Sequence, residues 1–297
     1  VSRDGAGASS RELVVDTGTA TLRCLDDGPL DAPVAILVHG FPDCWRSFRH
    51  QVAPLVAAGL RVVRPSQRGY APSSLARDGR YDAARLGDDL LAIADAVSPG
   101  RPVRLVGHDW GAVACYAACA RGPERVSHLV TMAVPHLRVA APRFLAPAQL
   151  RRSWYMLFFQ LRGLAEERVA ASDFALIRRL FRDWSPGWQI PPDELRAIVD
   201  ALGPRPHLSA ALGYYRALVG GALSAEVRHA VFSRPRAPSL YLHGVDDGCV
   251  GVALADGVEA AYAGPITVAR IDGAGHFLHQ ERPEIVTPIV RRFLLDE

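Results

Sequence analysis

The sequence predicts an α/β fold in which a mostly parallel central sheet carries helices on both faces and an all-helical segment is inserted late in the chain. Three observations predict it. Short β-branched runs alternate with longer helical patterns from residue 34 to residue 134, the signal of strands joined in parallel through helices. From about residue 137 to 232 only helical patterns occur, rich in arginine and aromatics. Alternation then returns for two strands and a closing helix. The 297 residues, 49% hydrophobic and 22% charged, are enough for a large core, and parallel-sheet folds often reach this length as a single unit.

In chain order, residues 12–15 and 20–25 read as an antiparallel pair, and 34–38 as a buried strand ending in His39-Gly40-Phe41-Pro42. Residues 46–58 have helical periodicity stopped by Gly59; 62–64 form a strand before the turn Arg68-Gly69-Tyr70. A helix at 81–97 ends at Pro99 and Gly100, and the strand 103–106 runs into Gly107-His108-Asp109-Trp110-Gly111 and a helix to about residue 120. A strand is expected at 126–134, then the helical insertion, strands at 239–243 and 266–271, and a helix at 283–295. The division is therefore a core from residues 11–136 and 233–297 with a helical cap at 137–232.

Composition narrows the function. The net charge is +3, and with no lysine present all 34 basic residues are arginines. No dense basic block occurs, so nucleic acid is not an expected partner. The five cysteines show no paired framework and no clustering with histidine of the kind that holds a metal. Cys115 and Cys119 fit the packed face of an alanine-rich helix. Reduced thiols, an N-terminus without an apolar leader, and an apolar cluster at 154–161 far shorter than the ~20 residues of a membrane span lead to the expectation of a cytoplasmic protein without a membrane anchor.

The pentapeptide around Asp109 has the small-x-nucleophile-x-small form of a sharp turn between a central strand and a helix. Glycines are needed there because side chains would collide with the neighbouring strand or helix. An Asp here also suits plain capping of a helix N-terminus; the preceding strand and two further motifs turn the reading to catalysis. A carboxylate is already charged at neutral pH and needs no base to attack. It suits displacement at a saturated carbon, which leaves an alkyl ester that water must hydrolyse. That second step needs a base and a group to orient it. In elbows of this type the partners follow as acid and then histidine. His276 lies in Gly273-Ala274-Gly275-His276-Phe277 after the last strand, with His279 as its rival. His128, His207 and His229 are assigned to surfaces or cap interfaces. Asp247, with Asp246 as the alternative, follows the strand 239–243 as the orienting acid. The amides of Phe41 and Trp110 form the expected oxyanion hole, and a cis Phe41–Pro42 bond fits the turn.

Together these motifs resemble the soluble-type epoxide hydrolases of the α/β-hydrolase fold, over about residues 13–293. In that family two cap tyrosines donate hydrogen bonds to the epoxide oxygen. One precedes a glutamine by five residues in an aromatic stretch, matched by Tyr155 in Trp154-Tyr155-Met156-Leu157-Phe158-Phe159-Gln160. The other lies in an aromatic-Tyr-Arg run, matched by Tyr215 in Tyr214-Tyr215-Arg216, with Tyr214 facing away. Arg162 departs from the pattern, where relatives often carry proline. The resemblance implies ring opening of a small apolar epoxide by Asp109 and hydrolysis of the ester by His276 and Asp247. It implies no metal or other cofactor, and a homodimer is retained among the assemblies. A haloalkane or haloacid dehalogenase with the same three residues is the alternative, although such enzymes often carry Asn where Phe41 stands; a non-catalytic ligand-binding relative is the other.

Overall fold

The structure, a computed structural model, describes residues 10–220 and 224–297. Among the described residues eight strands form one sheet: β1 (Arg11–Asp16), β2 (Thr21–Asp27), β3 (Val34–Val38), β4 (Arg61–Pro65), β5 (Val103–His108), β6 (Val126–Met132), β7 (Ser239–Gly244) and β8 (Ile266–Ile271). Their order is β1-β2-β4-β3-β5-β6-β7-β8. β1 and β2 pair antiparallel, β2 meets β4 antiparallel, and every later pair is parallel.

Alternation along the buried strands separates two cores. Val34, Ile36 and Val38 of β3 face one apolar cluster, while Ala35 and Leu37 face the other, as the two-residue period of a strand requires. The first cluster is covered by α2 (Ala83–Val97) and α3 (Trp110–Arg121); the second by α1 (Arg49–Ala57) and, at the chain's end, the helix Pro283–Leu294. Asp82 caps α2 by accepting from the amides of Ala84 and Arg85, one way of satisfying a helix's first donors. α1 begins at Arg49 rather than residue 46, because residues 43–48 are held in turns, with Ser47 Oγ donating to Asp43 Oδ2 at 2.6 Å.

Between β6 and β7 the chain forms α4 (Leu137–Ala140), α5 (Pro147–Arg152), α6 (Trp154–Phe158), α7 (Leu164–Trp184), α8 (Pro192–Leu202), α9 (Arg205–Gly220) and α10 (Ala225–Phe232). α7 is interrupted by non-helical backbone at Ala171 to Phe174. After β8 come α11 (Leu278–Glu281) and α12 (Pro283–Leu294). β6 ends at Met132, short of the expected residue 134, since Ala133 turns to φ 67°. All five cysteines are buried and free, Cys115 and Cys119 within α3. His128 departs from the surface assignment: it is buried on β6, with Nε2 3.0 Å from Asp296 Oδ1.

Candidate active site

Asp109 stands between β5 and α3 with φ 53° and ψ −119°, a conformation that costs a non-glycine residue energy and persists only when its surroundings impose it. Here they do. A Cβ on Gly107 would lie 2.3 Å from the Gly111 carbonyl oxygen, and one on Gly111 would lie 2.0 Å from the Val38 carbonyl oxygen. The turn can close only with glycine at both positions. Beside it the Phe41–Pro42 bond is cis, and the Phe41 amide donates to Asp109 Oδ1 at 2.7 Å. Trp110 opens α3 as its first residue.

His276 and Asp247 arrive from the ends of β8 and β7. The His276 Nδ1–H donates to Asp247 Oδ2 at 2.9 Å, and Nε2 lies 3.5 Å from Asp109 Oδ2. The second distance exceeds a normal hydrogen bond, so among the described residues Nε2 is buried without a hydrogen-bond partner. Asp247 Oδ1 is occupied by the amides of Cys249 at 2.7 Å and Val250 at 2.8 Å. These bonds set the carboxylate's orientation and thereby that of the ring. The His276 backbone is tied to the helical insertion through its amide, which donates to the Trp184 carbonyl.

The alternatives separate by position. Asp246 is exposed. His279 is buried, but its Nε2 sits 2.8 Å from Ser47 Oγ and its ring stacks on Phe48. Burial alone would strip His276 of its proton; the carboxylate of Asp247, with Cys249 and Asp109, outweighs burial and holds it well above its ordinary value. Burial would raise Asp247, but His276 holds it below the usual carboxylate range.

Asp109, Trp110, Tyr155 and Tyr215 line a single pocket of about 160 Å3, otherwise mostly apolar, with Val113 and Met156 among its walls. α9 is anchored by Tyr214, whose hydroxyl donates to the Arg68 carbonyl at 2.8 Å. Arg68 is itself clamped by Asp89 at 2.6 and 2.7 Å. Tyr214 therefore spends its hydroxyl away from Asp109, although its ring forms part of the wall, and the next residue turns inward. The Tyr215 ring meets Phe41 and Trp110 edge-on, each with centroids 5.3 Å apart, and its buried hydroxyl has no hydrogen-bond partner of normal geometry among the described residues. The Tyr155 hydroxyl is 3.3 Å from Cys249 Sγ. Burial pushes both phenols well above their ordinary pKa, so each stays protonated as a donor at neutral pH.

Sequence reading missed Cys249. It saw no clustering of cysteine with histidine, yet Cys249 Sγ, an imidazole nitrogen of His276 and a carboxylate oxygen of Asp247 lie within 4.8 Å of one another. Its one sequence signal is its place two residues after the acid. Trp184 was also missed; its ring contacts both His276 and Tyr155.

The chain matches the α/β hydrolase fold family over residues 33–283. Epoxide hydrolase A of Mycobacterium tuberculosis is 32% identical, the match covering 95% of this chain and 97% of that protein. The chain belongs to the epoxide hydrolases of the α/β-hydrolase fold. Epoxide hydrolase 3 of Xenopus tropicalis is 30% identical over 89% of the chain and 72% of its own length. Among solved structures, epoxide hydrolase A from Mycobacterium thermoresistibile superposes with a TM-score of 0.81 at 27% identity, covering 97% of this chain and 98% of that one.

Proposed function

We propose that this protein hydrolyses small apolar epoxides to vicinal diols through an ester on Asp109. The observation that carries the reading is the pair of buried tyrosine hydroxyls lining the same apolar pocket as the elbow carboxylate. Tyr155 and Tyr215 hold and polarise the epoxide oxygen. Asp109 attacks a ring carbon from the opposite face, the carbon–oxygen bond breaks, and the oxygen takes a proton from the phenol side. His276, oriented by Asp247, then deprotonates a water that adds to the ester carbonyl. The negative charge formed there rests on the amides of Phe41 and Trp110. Esterification helps this second step, because it removes the Asp109 charge that favours a protonated His276.

The dehalogenase alternative wants a polar halide donor at position 41. Phe41 offers only a ring, packed edge-on against Phe159 and Tyr215. On this reading residues 137–232 are the cap that excludes water and brings the two phenols to a core made of 11–136 and 233–297. No described helix is long and apolar enough to cross a membrane, and five free, buried thiols support a reducing, cytoplasmic setting.

A single turnover of styrene oxide in oxygen-18 water tests the scheme. Solvent oxygen is expected in the Asp109 carboxylate, and the original carboxylate oxygen in the diol. A labelled diol with an unlabelled protein after one turnover sinks the covalent route.

A further inference from the structure

The reaction just described leaves a proton to be moved. His276 lies between two carboxylates that favour its protonated form, and the ring-opened substrate oxygen is negative. If Tyr155 alone neutralised that oxygen, a buried tyrosinate would remain and His276 would still carry the proton that disqualifies it as a base. Both defects disappear if the His276 proton reaches Tyr155.

One side chain lies close to both residues. Cys249 Sγ is 3.3 Å from the Tyr155 hydroxyl and within 4.8 Å of an imidazole nitrogen of His276. It is 1% exposed, so the thiol is shielded from bulk water. The Cys249 amide donates to Asp247 Oδ1 at 2.7 Å, which fixes the backbone that carries the thiol. Facing His276 are Asp109 from the elbow, Asp247 and Cys249 from the segment after β7, and His108 from β5, whose ring centroid is 4.9 Å away. His108 is in no state to compete for the proton: burial, with the nearby His276, depresses it to about 3.

Building on the epoxide hydrolase reading, we infer that the Cys249 thiol is the proton relay between His276 and Tyr155. As the ring opens, the Tyr155 O–H proton passes to the substrate oxygen, the Cys249 S–H proton passes to Tyr155, and the His276 Nε2 proton passes to Cys249, while Nδ1–H stays on Asp247. The substrate gains a hydroxyl, Tyr155 and Cys249 end as they began, and His276 becomes neutral as Asp109 becomes an ester. In the second step His276 takes a proton from water. Collapse of the adduct sends the proton of the re-formed Asp109 acid to the departing diol oxygen. The cycle closes with Asp109 charged and His276 protonated, and no proton crosses to solvent. The relay thus couples protonation of the product to generation of the base.

Cys249→Val and Cys249→Ser test this, since valine fills the position without an exchangeable proton and serine keeps one. Single turnovers of styrene oxide, quenched and read by intact mass, separate ester formation from ester hydrolysis. In Cys249→Val, His276 keeps its proton, so hydrolysis is expected to slow by at least roughly tenfold and ester to accumulate. Cys249→Ser is expected to restore hydrolysis to within about threefold of native. The solvent deuterium effect on ring opening, a multi-proton effect in the native protein, should shrink in the valine variant and return with serine. Native rates in Cys249→Val overturn the relay, and so does an equal loss in both variants, which would mark a packing role. Cys249→Ala repeats the test if valine disturbs the fold by circular dichroism. Native protein that forms no ester overturns the epoxide reading itself, a different result from native protein that turns over alongside indifferent Cys249 variants.

Discussion

Asp109, Asp247 and His276 stand on turns that leave parallel strands, whereas Tyr155 and Tyr215 stand on helices laid over them, and the two sets are held differently. On the strand side every orientation is imposed. The elbow is closed by glycines that admit no side chain, Asp109 accepts the Phe41 amide, and Asp247 accepts two amides while fixing the His276 ring. On the helical side the rings are packed, but the hydroxyls are lightly engaged: one on a sulfur, the other on no partner. In the proposed mechanism Asp109 must meet its target within narrow limits, and a rigid turn provides that. A hydroxyl that must grip a substrate is better left with its bonding capacity unspent, because a satisfied donor would have to break one bond to make another.

The sharpest break of this contrast is on the strand side. Asp109→Ala is expected to lower kcat by at least about 10⁴-fold, with the fold intact by circular dichroism. His276→Gln should still open the epoxide and then stall, so a substrate adduct appears by intact mass. Normal turnover in that variant transfers the base role to another residue.

The helical side should give graded losses. Tyr155→Phe and Tyr215→Phe are each expected to slow ring opening roughly a hundredfold, the value of one donor to a developing oxyanion, and the double variant should abolish it. The relay sharpens the comparison between them. Tyr215→Phe should leave hydrolysis of the ester near native, while Tyr155→Phe should slow that step too, because the His276 proton then has no destination. Native ring opening in both single variants would remove the phenols from the scheme and reopen the halide reading.

The smallest effect concerns stability rather than rate. Burial depresses His39 and His136 to about 4 and His108 to about 3. Their folded values lie below the unfolded value of ~6.5, so their neutral forms cost nothing above that pH. The unfolded chain gains protons as the pH falls through it, and stability is lost down to about pH 3. Burial holds His50, His243 and His279 below their ordinary values as well, whereas Asp43, raised to about 6, and the raised Asp89, Glu281 and His276 act in the opposite sense; the depressed histidines outnumber them. Thermal unfolding at pH 7, 6 and 5 should show a falling midpoint, and a flat profile would mean that these histidines are hydrated.

The element pattern was legible in the sequence wherever a local rule governed it. β3 and β8 coincide with the expected runs because a buried strand between turns has few alternative readings. The elbow was legible because its backbone admits glycine at two fixed offsets. α1 began later than its periodicity suggested, since Ser47 and Asp43 bond to each other instead of joining the helix. The insertion was legible as helical, but the break in α7 was not: Ser172, Asp173 and Phe174 take positive φ with no glycine or proline to announce it.

By itself, then, the sequence determined the parallel-sheet fold, the turn that presents Asp109 and the short list of partners for it, because each rests on residues adjacent in the chain. Only the tertiary structure set Asp247 against His276 while leaving Asp246 exposed, and brought His276 to 3.5 Å from Asp109 while His279 meets Ser47, since burial and reach depend on which strand ends meet. It also decided that Tyr214 spends its hydroxyl on Arg68 while Tyr215 turns to the pocket. And it alone brought Cys249 close to both Tyr155 and His276, 94 residues along the chain from Tyr155, a neighbourhood made by packing and invisible to any local pattern.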